Sequence, residues 1–167
     1  MYRQMNANLN QYEKTEKFLG TKLFDLIPTI KTVVWTEGKV CYDTLITLQN
    51  DKTILGEIKV RNIKIDDYND YILEVSKLVS LINKSKKIKS DKIYYINFFP
   101  NKVEGIKDFI VFDLSPRIKD WKINKPKVIQ KYMNKVTYLS TDDKILKEVI
   151  MLQYDPSLDL RGLISIN

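Results

Sequence analysis

The sequence contains no histidine in 167 residues. That absence excludes Ser-His-Asp and Cys-His triads, His-Glu zinc helices and histidine-based nuclease motifs. A single cysteine, Cys41, excludes a disulfide framework and a Cys-rich zinc site, and fits a reducing setting. The five glycines are scattered and form neither a GxxxxGK loop nor a GxGxxG turn, so phosphate-cradling loops are absent. No apolar run approaches the ~20 residues of a membrane helix. The N-terminal stretch MYRQMNANLNQYEK is polar, without the apolar region of a signal peptide, so the expected location is cytoplasmic, inside the cell. Hydrolytic chemistry in such a chain is left to carboxylates, lysine and an oxygen-seeking metal, Mg2+ or Mn2+.

What is abundant is positive charge. Lys and Arg number 28 against 21 acidic residues, a formal charge of +7. The excess is concentrated in two runs. One is Asn83–Lys92, with Lys84, Lys86, Lys87 and Lys89; the other is Arg117–Lys135, with Arg117, Lys119 and Lys122 beside the aromatics Trp121 and Tyr132. Lysine runs with interleaved aromatics suit a phosphate backbone and base stacking, so nucleic acid, DNA in the first place, is the expected partner. The bland alternative is that the lysines serve only solubility.

A length of 167 residues allows one domain with a real core. Leu9, Tyr12, Leu19 and Leu23 predict a helix from Leu9 to Ile27, closed by Pro28, which Gly20 could bend or split. Strands are predicted at 31–36, 40–48 and 53–61. A helix follows over 67–83, capped by Asp66, with a stripe of Tyr68, Tyr71, Ile72, Val75, Leu78, Val79 and Ile82. Strands at 92–99 and 108–114 come next, then a helix over 126–133, a short strand at 136–139 and a helix over 143–152. The expected fold is α/β (α+β), a central mixed β-sheet flanked by helices, with a core of about 9–115 and a basic C-terminal extension of about 116–167.

The stretch CYDTLITLQNDKTILGEIKVRN (Cys41–Asn62) reads as a hairpin in which charges interrupt both apolar arms. A three-residue loop centred on Asn50 sets Asp43 opposite Glu57, whereas a two-residue turn slips the register by one. In the first register Glu57, Lys59 and Arg61 share a face with Asp43, and Ile46, Leu48, Ile54, Ile58 and Val60 take the other. Facing carboxylates repel each other unless a divalent cation lies between them. A lysine one pleat away completes what metal-assisted phosphodiester hydrolysis requires. Acid-x-Lys occurs at four places in the chain, so the tripeptide alone identifies nothing; only that of Glu57 lies in an apolar-flanked strand with a matching upstream acid. Glu16 falls within the apolar stripe of the first helix, where an ionised carboxylate is costly unless it is paired or metal-bound. It is read either as a site residue or as a salt-bridged surface acid, and Glu13, about 60° away on the wheel, is its substitute. Glu74 and Lys77 stand at i, i+3 on the second long helix and read equally as a surface ion pair.

These residues together resemble the PD-(D/E)XK nuclease superfamily, the restriction-endonuclease-like fold. The resemblance covers about Glu13 to Leu114 and rests on an acidic helix, a three-strand meander bearing Asp43 and the EIK of Glu57, Ile58 and Lys59, and the following helix and strands in αβββαβ order. Tyr42 stands where many members carry proline. The resemblance implies that Asp43, Glu57 and Lys59 are catalytic, that Asp43, Glu57, the Ile58 carbonyl and Glu16 hold Mg2+ or Mn2+, and that Glu74 and Lys77 border the site. It also implies a homodimer, as in many members. Phage or mobile-element membership is an expectation from the small, lysine-rich character of the chain. A catalytically inactive nucleic-acid-binding protein, or a structural phage protein, is the competing expectation.

Overall fold

The computed structural model describes residues 2–36, 41–134 and 144–166, the first nine of these by backbone only. The chain runs α1 (Tyr2–Asp25), β1 (Ile30–Trp35), β2 (Thr44–Leu48), β3 (Thr53–Val60), β4 (Asp70–Glu74), α2 (Val75–Ile88), β5 (Lys92–Pro100) and β6 (Ile106–Asp113). It ends with α3 (Leu114–Asp120), β7 (Val128–Asn134), β8 (Lys144–Gln153) and β9 (Leu160–Ser165).

Local sequence explains the hairpin. Leu48 N–H donates to Lys52 O, Asp51 takes a left-handed φ of 61°, and the loop is therefore Gln49-Asn50-Asp51, three residues long. This loop fixes Ile46 opposite Ile54 and Thr44 opposite Gly56. It is the register in which Asp43 and Glu57 come together.

The main sheet has six strands in the order β1-β2-β3-β5-β6-β9. Only β3 and β5 run parallel, which requires a crossover, and α2 supplies it. Leu19, Leu23 and Phe24 of α1 cover one sheet face, against Ile46, Ile54, Ile58, Ile96 and Phe98. Leu78 and Leu81 of α2 cover the other, against Leu55, Tyr95, Phe99 and Phe112. A second sheet, β4-β8-β7, lies over that same core through Tyr71, Leu73, Ile150 and Leu152. The architecture is the expected mixed sheet between helices, and the core order αβββαβ holds with one strand, β4, inserted before α2. Among the described residues no helix is long and apolar enough to cross a membrane.

Four expectations fail. The helix predicted over 67–83 is instead strand β4 followed by helix α2, which starts at Val75 and runs to Ile88. Tyr71 and Leu73 alternate into the core opposite Leu152 and Ile150, whereas Tyr68 and Val79, counted in the helical stripe, are exposed. Asp66 does not cap a helix; it pairs with Arg161 at 2.6 Å. The segments predicted as helices over 126–133 and 143–152 are strands β7 and β8. Their apolar residues fit a helical period, but pairing along Val128–Asn134 and Lys144–Gln153 satisfies the backbone, and β4 completes the sheet on the other side of β8. The strand at 136–139 lies outside the described residues. In the C-terminal segment β9 pairs with β6 along Leu160–Ser165.

Gly20 neither bends nor splits α1. A Cβ there would meet the Trp35 ring at 2.5 Å and Ile58 Cδ1 at 2.7 Å. Glycine is what lets the helix lie directly on β1 and β3, with Glu16 one turn earlier on the same face.

Candidate active site

Strand β2 begins at Thr44, opposite Gly56, so among the described residues the outer edge of β3 beyond Gly56 has no strand partner on that side. Asp43 covers the gap. Its backbone N–H donates to Gly56 O at 2.9 Å, and its side-chain Oδ2 accepts from the Ile58 N–H at 2.6 Å. In an extended strand the carbonyl of a residue points to the same side as its N–H, so the Ile58 carbonyl faces Asp43 as well.

Glu57 is fully buried on the α2 side of β3. Its Oε1 lies 2.9 Å from Lys59 Nζ and 2.8 Å from Lys77 Nζ. Oε1 therefore lies between two ammonium donors, whereas Oε2 has no hydrogen-bond partner among the described residues. Lys59 Nζ also stands 3.5 Å from Glu16 Oε1, whose side chain is 14% exposed. Glu16, Glu57, Lys59 and Lys77 therefore form one charged cluster, beside which Asp43 is held by Ile58. Glu13 is exposed.

The electrostatics follow from burial. Desolvation and the charge of Glu57 push the Asp43 carboxyl up to about 7, with Lys59 pulling against them. Burial likewise raises Glu16, partly offset by Lys59. Burial alone would lower Lys59, but Glu57, Glu16 and Asp43 outweigh it and hold the ammonium protonated well above its usual range. Three carboxylates face two ammonium groups, so ionising Asp43 leaves the cluster one negative charge in excess.

No three Asp, Glu or Cys side chains among the described residues close on one point as a protein-only metal cage requires. Magnesium needs no such cage, since it binds through one or two carboxylates and keeps several waters. Asp43, Glu57 and the Ile58 carbonyl are donors of that kind, and the buried Glu57 Oε2, without a partner among the described residues, is the observation that favours a cation there, in competition with the ammonium groups on Oε1.

Other singled-out residues lie elsewhere or serve structure. Glu74 pairs with Lys147 at 3.1 Å rather than with Lys77. Arg117 makes two bonds to the buried Asp159, at 2.6 and 2.7 Å, and donates to Gln153 O and Asp113 O. It ties α3 to the turn before β9 and is not free for a phosphate. Lys86, Lys87, Lys89, Lys119 and Lys122 are exposed, and the Lys84 ammonium sits 5.2 Å from the centre of the Tyr42 ring. Lys86, Lys119 and Lys122, from the two lysine runs, border one groove of about 460 Å³ between α2 and α3, which Trp121 also lines. Sequence reasoning passed over Asn97, a fully buried polar residue between Ile96 and Phe98. A polar residue inside the apolar run YYINFF was the available signal.

No family model and no curated protein matches this chain. A solved structure to which it is similar is that of Hjc from Archaeoglobus fulgidus, a Holliday junction resolvase from an archaeal hyperthermophile. The two share 10% identity at a TM-score of 0.40, over 73% of this chain and 77% of the other.

Proposed function

We propose that this protein is a divalent-metal-dependent nuclease that hydrolyses phosphodiester bonds in DNA, with Asp43, Glu57 and Lys59 as its catalytic residues. The observation that carries the reading is the fully buried Glu57, with two ammonium groups on Oε1 and no partner for Oε2 among the described residues, grouped with Glu16 and Lys59 and beside Asp43. A core keeps such a set only at a cost in desolvation, and unusual buried ionisable clusters mark functional sites.

A divalent cation held by Asp43, Glu57 and the Ile58 carbonyl would lower the pKa of water and offset phosphate charge. Asp43 must shed its proton for that binding. Lys59, kept protonated by three carboxylates, is a fixed positive donor placed to orient the attacking water or to stabilise charge developing on the phosphate. Glu16 holds Lys59 in place from α1. Exposed lysines on α2 and after α3 supply sequence-independent attraction to the backbone.

The test is cleavage of plasmid DNA in Mg2+ or Mn2+ by the parent, Asp43→Asn and Glu57→Gln. The parent should cut, and each variant should lose about a hundredfold or more in rate while retaining DNA affinity. Unimpaired cutting by both variants would refute the assignment. A DNA-binding protein without turnover is the second reading, favoured by the ammonium groups that already neutralise Glu57; a parent that binds DNA and never cuts would establish it.

A further inference from the structure

Beyond Lys59 the same face of β3 continues to Arg61, the next residue in the alternation. The three cations of this neighbourhood differ in one respect. Lys59 and Lys77 are both committed to Glu57, whereas Arg61 has no carboxylate partner among the described residues. Its guanidinium is held by neutral acceptors only. Nε donates to Asn97 Oδ1 at 2.7 Å, and Nη2 donates to Ile72 O at 3.1 Å and to the Tyr95 hydroxyl at 2.5 Å. Among the described residues Nη1 donates to none.

The holder is itself unusual. Asn97 lies at 0% exposure in the central strand β5, directly opposite Lys59, and its Nδ2 has no hydrogen-bond partner among the described residues. A buried amide with one end unbonded is costly in a strand otherwise filled by Ile96, Phe98 and Phe99. Its bonded end fixes Arg61. Tyr95 is also fully buried, and its hydroxyl joins Arg61 to the Ile72 carbonyl at 3.1 Å. The result is a half-buried guanidinium anchored through Nε and Nη2, with Nη1 left over and no carboxylate partner among the described residues, about 7 Å along the strand from Lys59.

We propose that Arg61 is the residue that grips a nucleic-acid phosphate next to the scissile one, and that Asn97 and Tyr95 position it. The inference rests on the nuclease reading of the adjacent carboxylates and adds a substrate contact to it. Arginine suits the role because Nε and Nη2 can anchor it while Nη1 keeps two N–H donors for phosphate oxygen, and because the group stays charged at any working pH. A purely structural arginine tying β4 to β3 would explain the Ile72 bond but not the absent counter-ion.

The experiment measures binding of a short DNA duplex in Ca2+ across a salt series, for the parent, Arg61→Gln and Arg61→Lys, with thermal melting of each. A phosphate contact predicts that Arg61→Gln binds about tenfold more weakly and that its slope of log K against log salt is shallower by about one. Arg61→Lys should keep the parent slope and still bind several-fold more weakly, because an ammonium cannot be anchored by Asn97 and Tyr95 and present donors to a phosphate at once. Arg61→Gln with native melting and an unchanged slope would overturn the proposal. If Arg61→Gln does not fold, Arg61→Lys decides alone, and parent-like affinity in that variant overturns it. Cleavage of the same duplex in Mn2+ by the parent separates the two readings. An altered slope without parent cleavage would keep Arg61 as a phosphate contact and remove the nuclease, whereas cleavage with unchanged slopes would do the reverse.

Discussion

Asp43 carries the pH dependence of the site. Its folded carboxyl sits at about 7 against an ordinary 3.8, so in that interval the folded state binds more protons than the unfolded one. Stability from this group is therefore full below about 4 and is lost as pH rises towards 7 and beyond. Without metal, the difference in melting temperature between parent and Asp43→Asn should shift in favour of the variant from pH 5 to pH 8. Added Mg2+ should restore the parent most at the higher pH, where no proton competes. A difference that stays constant with pH would contradict the assignment. Lys59 belongs to the same cluster, with carboxylate oxygens at 2.9 and 3.5 Å that accommodate a compact ammonium. Lys59→Arg should bind DNA normally and lose most of its cleavage, and Lys59→Ala cutting at the parent rate would make Lys59 a structural cation. Asp43 and Glu57 were legible because the register of a hairpin follows from its loop length. The Arg61–Asn97 bond was not, because it joins β3 to a strand 36 residues later whose pairing no local pattern specifies.

Among the elements, α1 determines whether Glu16 reaches the cluster. A methyl group at Gly20 would collide with Trp35 and Ile58 and push the helix off the sheet. Alanine gains about 1 kcal/mol of helix propensity, but overpacking a rigid contact costs about 1–3 kcal/mol, so the clash dominates. Gly20→Ala should lower stability by about 1–2 kcal/mol and reduce cleavage by drawing Glu16 away from Lys59; denaturant melts alongside cleavage rates check both. Unchanged values would mean that the interface has slack. The meander β1-β2-β3 and strands β5 and β6 were readable from alternation and turn residues. The second sheet was not. Residues 67–83 fit a 3.6 period as well as they fit a strand joined to a helix, and β8 takes strand form because it pairs on both edges, with β4 and β7. Such pairings are set by the whole fold rather than by the segment.

Across the molecule, charge is divided between a buried cluster and exposed lysines. In the proposed function the cluster supplies the chemistry and the lysines the reach. Neutralising Lys84, Lys86, Lys87 and Lys89 together should flatten the salt dependence of DNA binding by up to about four in slope, with the cleavage rate of bound DNA preserved. An unchanged slope would move the binding surface to Lys119, Lys122 and the residues around them. Lysine abundance was plain in the sequence, and so were the two runs. That Lys86 meets Lys119 and Lys122 on one groove, while Arg117 from the same run turns inward to Asp159, depends on where α3 ends and was not. The central claim is that Asp43 and Glu57 hold a divalent cation. Anomalous diffraction from crystals soaked in Mn2+ near pH 8 addresses it directly. The expected result is one strong peak between the Asp43 and Glu57 carboxylates and the Ile58 carbonyl, with at least one of Lys59 and Lys77 displaced from Glu57. A map with no peak there, and both ammonium groups still on Glu57, would contradict it.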